Sequence, residues 1–344
     1  MNFTYLALIS IFVYFIIYIF RIEIGKKLNV IDIPNEKRKI HKSPIPKTGS
    51  YSIAILFFFL VIFNLIYKKF DQSINIVLTG SLLIFIVGFI DDKYKLNALT
   101  KIISISLITF LLCIYSDDLI VDKFYIYSYD FFFKLEFFSI LFTILCILCL
   151  VNAVNLADGI NGLATGIIVI WLLYTYKVYI YETKIDHSDL NFLFYTIIIN
   201  LVLIFVHNYN GKHFLGDSGS LMLSGFIAFL VIYLHNKNID IPKHYNSSET
   251  LFIIFIIPIL DMIRLFFSRL VNKKNPGIGD NNHFHHYLIK RMPIFYALSL
   301  YFSLINIPIL ISLYSSINKF FIIALTILIY FVLIILYKPS LKSD

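Results

Sequence analysis

Apolar residues fall into about eleven stretches of roughly 15–20 residues, parted by short polar segments. The stretches occupy 3–20, 51–67, 74–90, 101–115, 137–151, 163–181, 191–207, 219–235, 251–267, 294–314 and 319–337. Each is long enough, or nearly so, to cross the hydrocarbon core of a bilayer as a helix. The pattern therefore predicts an all-α integral membrane protein with about eleven transmembrane helices. The shortest stretches, 101–115 and 137–151, are the weakest spans. The connecting segments leave no room for a separate soluble domain, so 1–344 reads as a single polytopic domain.

Charge sets the orientation. The alternate connections 21–50, 91–100, 152–162, 208–218, 268–293 and 338–344 carry 18 Lys and Arg residues, against 7 in the opposite set. By the positive-inside rule the first set is cytoplasmic, which puts the amino terminus outside and the carboxyl terminus in the cytoplasm. Composition adds little beyond this: 59% of residues are hydrophobic and 15% are charged. The net charge of +8 is the positive-inside excess and an attraction for anionic membrane lipids, not a sign of nucleic-acid binding. Cys113, Cys146 and Cys149 all lie in apolar stretches, and the C-x-x-C spacing of the last two reads as inert packing. The opposite-face loop 116–136, with five carboxylates among aromatics, reads as a solvated external turn.

Five polar segments carry candidate chemistry, and all belong to the cytoplasmic set. In GFIDDKYKLNALTK (88–101), Asp91 and Asp92 close a membrane helix, where carboxylates oppose the helix dipole unless a cation compensates. Lys101 opens the next helix within reach of the same surface. In NAVNLADGINGLATG (152–166), three glycines and the side chains of Asn152, Asn155, Asp158 and Asn161 exceed what a plain helix–helix turn needs. In HFLGDSGSLMLSG (213–225), Asp217 suits either an ordinary helix N-cap or a metal ligand, with Phe214 placed to stack on a planar base. The segment 268–293 ends in GDNNHFHHYLIKR, where His283, His285 and His286 precede Lys290 and Arg291. No Cys or Glu stands near these histidines in sequence, so phosphate donors fit better than a zinc site. Upstream, Asp261 and Arg264 are spaced to pair on one helix. The fifth segment, DIPNEKRKIHKSPIPKTGS (32–50), is basic and stiffened by proline, with Arg38, Lys39, His41, Lys42 and Lys47. Hard carboxylate oxygens beside phosphate-binding cations point to Mg²⁺ chemistry on a pyrophosphate, and the membrane setting implies a lipid substrate.

The chain resembles the polyprenyl-phosphate N-acetylhexosamine-1-phosphate transferases of glycosyltransferase family 4. The resemblance runs from Asp32 to Arg291 and rests on five motifs in order: D-x-P…RK-x-H…P-x-x-G at 32–49, GFIDD with Lys101, NAVNLADGINGLA, FLGDSGS, and H-x-H-H at 283–286. It implies an enzyme of the bacterial cytoplasmic membrane, its active site facing the cytoplasm. The enzyme would move N-acetylhexosamine-1-phosphate from a UDP-N-acetylhexosamine to undecaprenyl phosphate and release UMP. It implies Asp217 as Mg²⁺ ligand, with Asp92 beside it, and Asp91, Asp92, Lys101, His283, His285 and His286 as catalytic residues. Asn152, Asn155, Asp158, Asn161, Phe214, Arg38, Lys39 and His41 would bind substrate. A homodimer stays open. The family's D-G-x-D-G reads Asp158-Gly159-Ile160-Asn161-Gly162 here, with Asn where bacterial branches carry the second Asp, as in the eukaryotic dolichol branch. The H-x-H-H form argues against a UDP-muramoyl-pentapeptide donor. A lipid-sugar flippase would line both faces with polar groups, and a CDP-alcohol transferase would need a D-G-x-x-A-R run that is missing.

Overall fold

The computed structural model describes residues 3–34, 43–181, 188–239, 244–273, 275 and 282–339. Every apolar stretch is helical. The helices are α1 (Phe3–Ile19), α2 (Arg21–Leu28), α3 (Tyr51–Tyr67), α4 (Gln72–Tyr94), α5 (Ala98–Tyr115), α6 (Ser139–Ala157), α7 (Leu163–Tyr176), α8 (Ser188–Tyr209), α9 (Gly216–Asn238), α10 (Ser248–Val271), α11 (Phe284–Ile289), α12 (Ile294–Tyr314) and α13 (Lys319–Tyr337). Among the described residues, nine helices are long and apolar enough to cross a bilayer. They become ten if α1 and α2, bent by 71° at their junction, form one broken span. The expected eleven spans are thus matched for nine or ten, because α3 has only 17 residues. The two weakest stretches grow into full-length helices: α5 starts at an Asn97 cap whose Oδ1 accepts the Thr100 amide at 2.8 Å, and the α6 span covers 22 residues from Glu136.

The chain forms two compact units. The first comprises Met1–Asp122 and Leu135–Asp240, the second Lys123–Lys134 and Ile241–Asp344. In the first, α9 is the axis, buried along its whole apolar window. It packs against α4, α6 and α7, with α3 and α5 on α4, and α8 on α7 and α1. Small residues make this possible, since helices in lipid gain their association from close packing. At Gly88 backbone meets backbone: a Cβ there would stand 2.5 Å from the Asp217 carbonyl oxygen and the Ser218 Cα. That crossing brings the end of α4 directly onto the start of α9.

In the second unit α10, α12 and α13 pack pairwise, and α11 rests on α12 and α13. Two small antiparallel pairs depart from an all-helical chain. β1 (Ile31–Asp32) pairs with β2 (Ile45–Pro46). β3 (Lys123–Ile126) pairs with β4 (Phe131–Lys134), Lys123 opposite Lys134 and Phe124 opposite Phe133. The expectation of a plain solvated turn at 116–136 is corrected here. KFYI and FFFK are aromatic, β-prone runs, and Asp130 in the left-handed region closes the turn between them.

Candidate active site

The site in the first unit is assembled from helix ends. Asp91 lies in the last turn of α4, buried, with its Oδ1 accepting the Leu96 amide at 2.7 Å and its Oδ2 facing Lys101 Nζ at 2.8 Å. The lysine answers the unfavourable placement of a carboxylate at a helix carboxyl end. Lys101 opens α5 because Asn97 caps that helix, so a short loop sets the pair.

Asp92 does something the sequence did not announce. Helix α9 starts at Gly216, with Leu215 as its N-cap and no capping side chain of its own. Asp92 supplies the cap from α4: its Oδ1 accepts the Asp217 amide at 3.0 Å and its Oδ2 the Ser218 amide at 2.9 Å. Asp217 is therefore not an N-cap but a first-turn residue whose side chain takes no part in capping. Lys47 Nζ closes on Asp92 Oδ1 at 3.0 Å. Gly216 has φ +74°, and a Cβ on it would lie 2.7 Å from Asp92 Oδ2. The glycine thus meets both a conformational and a steric demand.

Lys47 is held there by backbone. The Phe214 amide donates to Pro46 O at 2.9 Å and the Gly49 amide to Phe214 O at 3.0 Å, so the chain after β2 runs alongside the loop entering α9. Phe214 is half-buried in that loop. The neighbouring His213 is buried, and burial, then the nearby His207 and Arg21, lower its pKa to about 4. It is neutral at pH 7.

The end of α6 completes the group. Asn155 Nδ2 donates to Asp217 Oδ1 and, at 3.0 Å, to Ser220 Oγ. Asn152 instead donates to Leu148 O of its own helix at 2.7 Å. The turn 158–162 is fastened by Asn208, whose Oδ1 accepts the Gly162 amide at 2.7 Å while its Nδ2 donates to His213 O at 3.0 Å. Asn161 lies beside Gly211. Sequence reading placed Lys47 and Ser220 in candidate segments without giving them a role, and missed Asn208. Asn208 sits at the end of an apolar helix whose composition gave no reason to single it out.

Asp91, Asp92, Asp158 and Asp217 lie close enough to repel one another; among the described residues Lys47 pairs with Asp92 and Lys101 with Asp91. Burial, then the charges of Asp217 and Asp92, push the Asp158 pKa well above the usual carboxylate value. Burial works against the charge on Lys47, but Asp92 and Asp217 outweigh it and hold its pKa above the ordinary lysine value. Fully ionised, the group carries a surplus of negative charge made of hard oxygens, the donor set Mg²⁺ takes together with water and phosphate. Asp217 fits such an ion best, since Asp92 has an amide on each oxygen and Asp91 an amide and a lysine.

The second unit holds its own cluster. Asp261 in α10 is buried and pairs with Arg264 Nη2 at 2.8 Å, as their spacing predicts. It also accepts from His283 Nδ1 at 3.0 Å, the Phe284 amide at 3.1 Å and Tyr330 Oη at 2.7 Å. His283, His285 and His286 are all buried, with the His285 and His286 rings 4.2 Å apart. Both ring nitrogens of His285 lack a hydrogen-bond partner among the described residues. Burial, then its two histidine neighbours, hold its pKa well below the usual value. Asp261, His283 and His285 bring ligand atoms within 4.8 Å of one another. A carboxylate already filled by four donors, one a guanidinium, is nevertheless poorly suited to a cation. Arg38, Lys39 and His41 lie outside the described residues.

Comparison with known proteins bears on this geometry. Residues 74–235, which hold the α4, α6 and α9 contributions, match the model of glycosyl transferase family 4. A relative from Bacillus subtilis (strain 168), named probable undecaprenyl-phosphate N-acetylglucosaminyl 1-phosphate transferase, is 29% identical over 78% of this chain and 72% of its own. The undecaprenyl-phosphate alpha-N-acetylglucosaminyl 1-phosphate transferase of Escherichia coli (strain K12) is 24% identical over 82% of this chain and 76% of its own. That of Thermotoga maritima is 26% identical over 96% and 95%. Over residues 74–235, which carry the carboxylate-rich junction, the chain is thus similar to glycosyl transferase family 4.

Proposed function

We propose that the protein transfers an N-acetylhexosamine-1-phosphate, most simply GlcNAc-1-phosphate, from a UDP-sugar to undecaprenyl phosphate and releases UMP. This would be the first membrane step of an envelope glycan. The observation that supports it best is the meeting of Asp217, Asn155, Asp92 and Lys47 at the start of α9, an anionic cradle edged by cations. In this reading a phosphate oxygen of the lipid forms a bond to the β-phosphorus of the UDP-sugar. The bond from that phosphorus to the bridging oxygen breaks, and UMP leaves with the oxygen. Mg²⁺ bound by Asp217, with Asp92 behind it, would neutralise the pyrophosphate. Asn155 holds the Asp217 carboxylate by donating to it, and Asp92 fixes the backbone that carries it.

Anion attack on a polyanion is opposed by Coulomb repulsion, so positive charge supplies much of the stabilisation. Lys101 and Lys47 are the cations in hand here, and each now neutralises a carboxylate that would release it toward phosphate. The lipid phosphate is largely ionised near neutrality and needs no strong base. Phe214 serves as the uracil platform, and Asn152, Asp158 and Asn161 line the nucleotide. The three histidines are assigned to the sugar and its phosphates. The site faces the cytoplasm, where UDP-sugars are made, with the amino terminus outside. Purified protein given undecaprenyl phosphate, Mg²⁺ and a panel of UDP-sugars should release UMP and form a lipid-linked sugar diphosphate with one of them. Release of UMP with none of the panel would overturn the reading.

A further inference from the structure

The β3–β4 hairpin offers a surface that the transfer reaction does not use. Paired residues share a face in an antiparallel ribbon, and faces alternate along it. One face therefore carries Phe124, Ile126, Phe131 and Phe133 and no polar residue at all. Phe131 and Phe133 remain 53% and 49% exposed. The other face carries Lys123, Lys134, the buried Tyr125, and Phe132, whose ring packs against Tyr125 with centroids 4.9 Å apart yet stays 41% exposed. Strand β4 is thus exposed along its length and aromatic at three of its four residues, which a water-facing strand would not keep.

Its place in the second unit is fixed by the helices below it. Glu249, in the first turn of α10, accepts the Tyr127 amide at 2.8 Å and the Ser128 amide at 3.0 Å. Ser248 Oγ accepts the Tyr125 amide at 3.1 Å. Tyr129 meets Phe320 of α13 with ring centroids 5.5 Å apart. Both α10 and α13 are long and apolar enough to span a bilayer, and the hairpin is bound to the first turn of each. It is held where those helices leave the hydrocarbon, the depth at which aromatic residues are favoured. At the ribbon's open end Lys123 stands directly opposite Lys134. Like charges so placed repel, and the long stem of the exposed Lys134 can carry its charge toward an anionic headgroup.

We propose that this hairpin is a membrane-interface anchor: the exposed side chains of Phe131, Phe132 and Phe133 lie in the headgroup–acyl boundary, and Lys134 at the end of the same strand meets lipid phosphates. The test uses the full chain in nanodiscs of phosphatidylcholine and phosphatidylglycerol. The protein's one tryptophan, Trp171, is buried, so wild type supplies a constant background for a Phe133→Trp reporter. The expected result is that lipids brominated high on the acyl chain quench the added emission while aqueous iodide spares it. Omitting phosphatidylglycerol should shift that emission to the red, and Lys134→Gln should remove the shift. Quenching by iodide and not by brominated lipid would place the face in water and overturn the proposal. Protection from both quenchers would mean a second protein surface covers it, which overturns it equally. Phe131→Trp repeats the measurement at an independent position, and unchanged Trp171 emission in both variants shows that the fold is kept.

Discussion

The backbone amide of Asp217 donates to the side chain of Asp92 at 3.0 Å, although 125 residues separate them. The second Asp92 oxygen takes the next amide, that of Ser218, at 2.9 Å. A helix start leaves unsatisfied amides that ordinarily find a cap just upstream in sequence. In α9 that position is Leu215, which cannot serve, and Gly216 leaves room for a carboxylate arriving from α4. The residue proposed to hold the metal therefore inherits its position from a second carboxylate on a different helix.

Removing that cap should cost stability and disturb Asp217 together. Asp92→Ala loses both acceptors and leaves Lys47 without its carboxylate. An N-cap loss alone is worth about 1 kcal/mol. The expected outcome is a lowered melting temperature in detergent and a loss of transfer far larger than the unfolded fraction explains. Asp92→Asn, which keeps one acceptor oxygen, should recover more of the stability than of the activity. An Asp92→Ala protein with wild-type melting and turnover would remove the capping role.

Asp217→Asn should insert and fold, because its backbone amide still meets Asp92 and only the charge is lost. If Asp217 holds Mg²⁺, several kcal/mol of transition-state stabilisation go with it and UMP release falls to background. Raising Mg²⁺ should not restore the rate. Near-wild-type release at saturating Mg²⁺ would sink the assignment.

Most of the helical layout was legible from hydrophobic runs alone, since each run needed only length and low charge to declare itself. The acidic and Asn/Gly segments also stood out, because Asp91, Asp92, Asp158 and Asp217 break apolar surroundings. What bound them together was hidden. Lys47 looked like one more basic residue in a topology-setting loop, and only the backbone pairing of Pro46 with Phe214 brings it to Asp92. That Asp261 is the carboxylate of the histidine tract was hidden because it lies 22 residues upstream on another helix. The β3–β4 hairpin was missed for a different reason. Its apolar face resembles membrane filler when read without register, and only the pairing of Phe124 with Phe133 sorts the aromatics into two sides.

His213 makes stability depend on acidity. Its folded pKa of about 4 lies below the 6.5 of an unperturbed histidine, so the unfolded chain binds the proton more readily. The stability tied to the neutral ring is complete above pH 6.5 and is lost progressively as pH falls toward 4. That difference amounts to roughly 3 kcal/mol at most. Relative to His213→Asn, wild type should lose stability over this window, read as the difference between the two melting temperatures at each pH. A difference that stays constant from pH 7 to pH 4 would show that the ring titrates normally in the folded protein.

Asp261 and Arg264 invite a double-mutant cycle. The carboxylate gathers Arg264, His283, the Phe284 amide and Tyr330, so it ties α10, α11 and α13 of the second unit into one network. Breaking a buried ion pair by removing one partner typically costs about 3–5 kcal/mol, because the other charge stays buried and unpaired. Asp261→Asn strands the guanidinium and should destabilise strongly. Arg264→Met removes that guanidinium and should cost less, since His283, the Phe284 amide and Tyr330 still serve the carboxylate. In the double variant the stranded charge is gone, so its loss should be smaller than the two single losses added. The coupling should reach about 1 kcal/mol or more, the range seen for residues sharing one network. Melting of all four proteins in the same detergent measures it. Strict additivity would mean that Arg264 is satisfied elsewhere and that Asp261 serves His283, the Phe284 amide and Tyr330 alone.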